Sequence, residues 1–430
     1  MHLREATRRL AAFGVALAAL LAAAMPARSQ TTDAPGPERE PGAELSVYLV
    51  TMGPGDQVWE RFGHNAIWIH DPVRGTDKVY NYGIFDFEQE GFLLRFIQGR
   101  MLYWMAAHDA DLTIRAYQLA NRSIWLQELN LTPAAKDALR AFLEWNERPE
   151  NRYYRYDYYR DNCSTRVRDA IDRALGGLLR AEAERLPATG TYRFHTRRLT
   201  AGDRLIYTGL MLGLAGAADR PISVWEEMFL PMRLRDHLRT VMVQDEEGRE
   251  VPLVRSEIVV FEANREPEPS GLPRDTPGYL LVGMVAAAVL VGLGARADRS
   301  RAARATAVAL VVAWAILSGL GGLLLAGLWG FTDHVIAYRN ENLFQVNPLN
   351  LALAFLVPAA AWGRRGAGRA AIWIAGASAA LSILGLALKG LPAFDQVNGP
   401  IIALTLPINV GIFVAVRSLA SAEDRRVAGA

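Results

Sequence analysis

Apolar and polar positions change rhythm about two thirds of the way along this 430-residue chain. Leu45 to Met52 (LSVYLVTM) is apolar and β-branched and stops at Gly53-Pro54-Gly55, as a strand does at a break. Ala66 to His70 (AIWIH) and Lys78 to Phe85 (KVYNYGIF) predict two more strands, joined by the turn-rich Asp71-Pro72-Val73-Arg74-Gly75. Phe92 to Met105 has apolar residues at helical spacing, with Arg95, Gln98 and Arg100 along one side, and predicts an amphipathic helix. Thr132-Pro133 is a cap followed by a first-turn proline, opening a helix to about Asn146. Asp161-Asn162 caps another, from Cys163 to about Leu175. Together these predict an α+β domain, a small antiparallel sheet with helices packed on it.

Beyond about residue 277 the charges thin out and the apolar runs become long. A bilayer core of ~30 Å needs roughly 20 helical residues. Gly278 to Ala295 and Ala305 to Trp329 are uncharged, and 370–388 and 400–416 are comparable. A further run ends at Trp362 and carries Gln345, Asn347 and Asn350 in its first turns, so it is placed at 349–362 with a start as early as 343. Five spans result, with a polar loop at 330–348 and a tail at 417–430. Arg296, Arg299, Arg301, Arg304, Arg364, Arg365, Arg369, Arg417, Arg425 and Arg426 flank one side, and only Arg339 and Lys389 the other. By the positive-inside bias, residues 44–277 lie outside the cytoplasm. The N-terminus agrees. Arg4, Arg8 and Arg9, an apolar core from Leu10 to Ala24 and Ala27-Arg28-Ser29 predict a signal peptide over 1–29, followed by a Pro- and charge-rich spacer at 30–43. The expected location is the bacterial inner membrane.

Charge and cysteine usage narrow the chemistry. Lys+Arg 47 against Asp+Glu 45 leaves no basic surplus for a nucleic-acid partner. Cys163 is the single cysteine, which rules out internal disulfides and multi-thiolate metal sites, and the seven histidines form no HExxH. Neither a metal nor a cofactor is expected. Leu186-Pro187-Ala188-Thr189-Gly190 spells a sortase signal, but such a signal precedes one terminal span rather than five.

Cys163 falls in the first turn of a capped helix, where free N–H groups and the macrodipole favour a thiolate. On the residues alone a nucleophile and a buried structural cysteine are both open. His64, in Arg61-Phe62-Gly63-His64-Asn65-Ala66, stands where a turn enters a strand and is the candidate base. His70 falls on the same face of that strand. His108, His195 and His237 read as surface residues, and the tyrosines from Tyr153 to Tyr159 as a half-buried strand leading to Cys163.

The order of His64 at a strand start and Asn162-Cys163 at a helix start resembles the circularly permuted papain-like (NlpC-type) superfamily. FGHNAIWI, VYNYGIFDF and YRYDYYRDNCSTRVRDAI look more specifically like the N-terminal periplasmic domain of Lnb-type lipoprotein N-acyltransferases. FTDHVIAYRNENLFQVNPLNL looks like that family's membrane half. The resemblance implies a permuted papain-like domain fused to an all-α membrane bundle. It implies transfer of an acyl chain from a phospholipid, through a cysteine thioester, to the N-terminal amine of diacylglyceryl-cysteine lipoproteins. Cys163 and His64 carry over as nucleophile and base, with Asn81 the first choice for a ring-orienting third member and His70 the second. A cell-wall amidase or peptidase with the same pair, or a non-enzymatic binding module, are the alternatives. Asp333, His334 and Asn342 sit in the polar loop expected on the Cys163 side. Polar groups there need protein, water or a polar ligand to face, which makes them candidates for substrate positioning; His334 is also a second candidate base.

Overall fold

The computed structural model describes residues 40–428. The expected signal peptide and most of the expected spacer lie outside the described residues.

Seven strands form one antiparallel sheet in the order β6-β4-β3-β2-β1-β5-β9. They are β1 (Ser46–Met52), β2 (His64–Asp71), β3 (Thr76–Ile84), β4 (Leu102–Asp109), β5 (Ile124–Leu129), β6 (Tyr153–Arg155) and β9 (Val254–Phe261). β7 (Met242–Gln244) and β8 (Glu250–Pro252) pair as a separate hairpin. Strand alternation divides the sheet into two faces. Val47, Leu49, Ile67, Ile69, Tyr80 and Tyr82 are buried against helices α3 (Pro133–Glu147) and α4 (Cys163–Ala174). Val50, Met52, Ala66 and Val79 belong to the opposite face, beneath α2 (Ala110–Leu119). Helices α5 (Leu178–Ala183), α6 (Tyr192–Thr200), α7 (Arg204–Gly213), α8 (Val224–Glu227) and α9 (Pro231–Leu238) complete this region.

Two local expectations fail for identifiable reasons. The helix expected over Phe92 to Met105 is only α1 (Phe92–Gln98). Gly99, at φ 70, closes it with a left-handed turn, and the chain then becomes β4. Alternation of Tyr103 and Met105 into the core fits β4, and the sheet pairing overrides the helical spacing. The tyrosine-rich segment is a strand only over Tyr153–Arg155; beyond it the backbone folds into a turn closed by the Asp157–Asp161 bridge.

Among the described residues, four helices are long and apolar enough to cross a membrane: α10 (Thr276–Ala295), α11 (Arg301–Phe331), α13 (Arg365–Ala387) and α14 (Gly399–Ala428). The remaining expected span is α12, Asn350–Ala361, whose 12 residues reach only ~18 Å. Four of the five expected apolar segments are thus long helices, and the fifth is the short α12, close to its expected 349–362. The reason is chemical. Gln345 donates to Ser382 O at 3.1 Å and accepts from Thr405 Oγ1 at 2.9 Å, while Asn409 Nδ2 donates to Gln345 O at 2.9 Å. Asn350 donates to Ser318 Oγ at 2.9 Å. Irregular backbone is tolerated at membrane depth where neighbouring helices bond it, and here they do.

Candidate active site

The two faces of the sheet meet at the end of β2 and β3. Cys163 arrives with α4, whose start is fixed by a reciprocal capping box. Asn162 Oδ1 accepts from Thr165 N at 2.9 Å, and Thr165 Oγ1 accepts from Asn162 N at 2.7 Å. Asn162 also donates from Nδ2 to Tyr158 O and Phe229 O, both at 3.0 Å. Asn65, next to His64, ties the strand to this helix by donating from its side chain to Ser164 Oγ at 3.2 Å and to Pro231 O at 3.3 Å. The backbone N–H groups of Asn65, Ser164 and Cys163 act to lower the pKa of the Cys163 thiol.

Gly83 makes the approach possible. It lies at φ 86, within a register irregularity between Asn81 and Ile84, and a Cβ there would stand 3.3 Å from Cys163 Cβ. A bulge of this kind turns side chains toward a site and leaves the strand's last residues unpaired.

His64 lies on the α2 face, diagonal to Asn81 across the β2–β3 pair, whose register sets Ala66 opposite Asn81. His64 Nε2 and Asn81 Oδ1 are 3.2 Å apart. Asn81 Nδ2 donates to Val79 O at 3.0 Å, so its oxygen faces the ring and must accept. The His64 proton is thereby assigned to Nε2, and Nδ1 carries the lone pair. The ring stacks on Tyr117 of α2 at 6.2 Å and 14°. Arg122 lies over the other reach of Tyr117, 4.7 Å from its centroid, held by Gly53 O at 2.9 Å and Glu60 Oε1 at 3.3 Å.

Burial chiefly, and then the Arg122 charge, hold the His64 imidazole down at about 4, against the opposing Asn81 hydrogen bond. Burial also pushes the Cys163 thiol above its ordinary value, outweighing the three N–H groups and Arg122. The expectation of a thiolate at this helix start is corrected: desolvation exceeds the helix-terminal stabilisation. Both shifts favour the neutral form of their group. A cavity of about 570 Å³ is lined by His64, Asn81, Gly83, Phe85, Tyr117 and Arg122 among others.

His70 does not join this group. It lies six residues along β2, paired to Asp77 Oδ1 at 2.8 Å, at ~20 Å by strand rise. The loop residues are gathered elsewhere. Asp333 accepts from Arg100 Nε at 2.9 Å and Arg155 Nη2 at 2.8 Å. His334 Nε2 bonds to Phe96 O at 2.9 Å, and its ring stacks on Tyr158 at 6.2 Å. Asn342 is buried, donating to Met211 O at 3.1 Å and Leu212 O at 2.9 Å and accepting from Asn398 at 2.9 Å.

Two site residues carry no sequence signal. Arg122 follows a short turn with nothing to mark it. His108 is exposed, as expected, and also lines the cavity, with its Nδ1 3.4 Å from Asn81 Nδ2; only the β3–β4 register, Val79 opposite His108, reveals that second place. His195, also expected outside, is fully buried against Glu227 at 2.8 Å. Among the described residues no group of three or more His, Cys, Asp or Glu side chains gathers as a metal site requires.

Residues 39–198 match the family model for the Lnb N-terminal periplasmic domain, and residues 278–416 that for the Lnb transmembrane domain. No curated protein and no solved structure matches the chain. The two domains, in this order and with the four long apolar helices, make the chain a multi-pass inner-membrane protein with a periplasmic domain.

Proposed function

Since this chain belongs to the Lnb-type lipoprotein N-acyltransferase family, a family of membrane enzymes that process lipoproteins, we propose that it moves an acyl chain from a phospholipid to a lipoprotein amine through a Cys163 thioester. The observation that carries this reading is the His64–Asn81 pair at the strand ends where Gly83 abuts Cys163 and Asn65 bonds to Ser164.

His64 Nδ1 takes the thiol proton as the sulfur attacks an ester carbonyl of the phospholipid. A neutral starting pair makes this transfer part of the bond-forming step, because no thiolate is stored beforehand. The negative charge on the carbonyl oxygen faces the N–H groups of Cys163 and Asn65. Collapse expels the lysophospholipid alkoxide, which receives the proton from His64. The free α-amine of the diacylglyceryl-cysteine then attacks the thioester, His64 accepts the amine proton, and the thiol is reformed as the amide leaves. Asp333, His334 and Asn342 act by holding the loop that seats this domain on its spans.

Purified protein incubated with phospholipid alone is expected to gain one acyl mass on Cys163, released by hydroxylamine. Adding a diacylated lipopeptide discharges it as the triacylated product. Cys163→Ala gains nothing, and His64→Ala acylates at least ~100-fold more slowly. Full activity of Cys163→Ala ends the proposal.

A further inference from the structure

Helix α1 presents a cluster of exposed apolar side chains. Phe92, Arg95 and Gln98, at helical spacing, are half-buried, whereas Leu93, Leu94, Phe96 and Ile97 are 69%, 60%, 40% and 53% exposed. Four large apolar side chains within five residues exceed what a water-facing helix carries singly, and such a patch marks a partner surface.

The C-terminal end of α1 identifies the partner. Its last carbonyls are met by the loop that leaves α11: Asp333 N donates to Gln98 O at 2.8 Å, and His334 Nε2 to Phe96 O at 2.9 Å. Arg100 and Arg155 close on the Asp333 carboxylate from the same side. Asp333 stands two residues past Phe331, the last residue of the membrane-crossing α11, and Phe331 is 88% exposed. Trp329, two residues before it, is half exposed, as aromatic residues at the bilayer interface are. The apolar face of α1 is thus continuous with the lipid-facing surface of a span, at the depth where that span leaves the membrane.

We propose that α1 lies in the outer leaflet of the inner membrane, with Leu93, Leu94, Phe96 and Ile97 among the lipid chains. The driving force is burial of apolar surface rather than attraction to anionic lipid, because Asp86, Glu88 and Glu90 precede the helix and offset Arg95. The loop contacts act as a strap that sets the depth of the helix. The consequence for the site rests on the acyl-transfer reading. Phe92 packs on Phe85 and Phe87 at 6.1 and 5.2 Å, and Phe85 lines the cavity, so an aromatic path runs from α1 to the pocket that His64 lines.

Full-length protein in phosphatidylcholine vesicles tests the insertion without any turnover. Single cysteines at Leu93, Leu94 and Ile97, in a Cys163→Ala background, carry a nitroxide; a fourth at Val73, 73% exposed on the β2–β3 turn, is the control. Expected is at least threefold higher collision with oxygen relative to an aqueous nickel chelate at the α1 sites than at Val73, unchanged when anionic lipid is added. His334→Ala in the same background should shift the α1 labels to a different depth. Labels as water-accessible as Val73 overturn the proposal, as do labels that become shielded only when lipopeptide is added, which would make the patch an acceptor-docking surface. Neither result depends on thioester formation, so loss of the proposed chemistry and loss of the insertion are told apart.

Discussion

His64 and Asn81 meet through Nε2 and Oδ1 at 3.2 Å, and the carbonyl of Val79 fixes which way the amide faces. The pair therefore specifies the imidazole tautomer. Asn81→Ala removes that control without touching the substrate. Its acylation rate is expected to fall about tenfold to a hundredfold, part of the 10²–10⁴ a positioned base contributes. Single-turnover acylation of Cys163 measures it. A KM effect with unchanged acylation would remove Asn81 from the orienting role.

The low His64 value sets the acid limit of the reaction. A general base must be neutral, and an imidazole held down to about 4 stays neutral well below the ordinary histidine range. The acid limb of Cys163 acylation is expected between pH 4 and 5, not near 6.5. Asn81→Asp sets a carboxylate beside the ring, favours imidazolium, and should move that limb upward. The same depression has a stability cost, because the unfolded chain binds a proton that the folded one refuses. Stability contributed by neutral His64 is complete above 6.5 and declines as pH falls toward 4. A pH series of thermal midpoints checks it, with His64→Gln expected to flatten that decline.

Gly83→Ala challenges the close approach. The added Cβ meets Cys163 Cβ at 3.3 Å, and the left-handed backbone itself costs an L residue about 1–2 kcal/mol. The variant should fold with a lower unfolding midpoint, and acylation should drop more than the midpoint shift explains, since the strain falls on the nucleophile.

Asn342 and Asp333 should separate cleanly. Asn342→Ala leaves the Met211 carbonyl and the Asn398 amide buried without that partner, a loss of about 1–3 kcal/mol. Asp333→Asn weakens exposed ion pairs that solvent already screens. Unfolding in detergent is the measurement. The first variant loses stability; the second keeps it while loosening α1.

Orientation is testable with two exposed positions. In Cys163→Ala, a cysteine at Leu391 should react with an impermeant thiol reagent on intact spheroplasts, and one at Ala302 only after lysis. The opposite pattern would invert the chain.

The elements readable in the sequence are those whose signals are local. Strand alternation in β1 to β3, the Thr132-Pro133 start of α3 and the Asn162 cap of α4 need only a few neighbouring residues. His64 and Cys163 stand out as candidates because each begins an element, whereas Asn81 was chosen under the resemblance for its place in the neighbouring strand. Arg122 and His108 join the site through sheet register and turn geometry, which no short window encodes. The sequence overstated α1 because Phe92 to Met105 satisfies helical and strand spacing in turn. The thiolate expectation failed for a related reason: local sequence shows the helix start but not the burial that outweighs it.

The short α12 also bears on how the chain enters its membrane. Segments emerge from the ribosome in order, so α12 and its irregular lead-in arrive before α13 and α14. At that moment Gln345 lacks Ser382, Thr405 and Asn409. A twelve-residue helix with those groups unpaired has no stable position in lipid alone. The segment must therefore wait beside the insertion machinery or against α11 until the last helix is made. A chain cut short before α14 would carry four apolar segments and still fail to settle, and quality-control proteolysis would remove it.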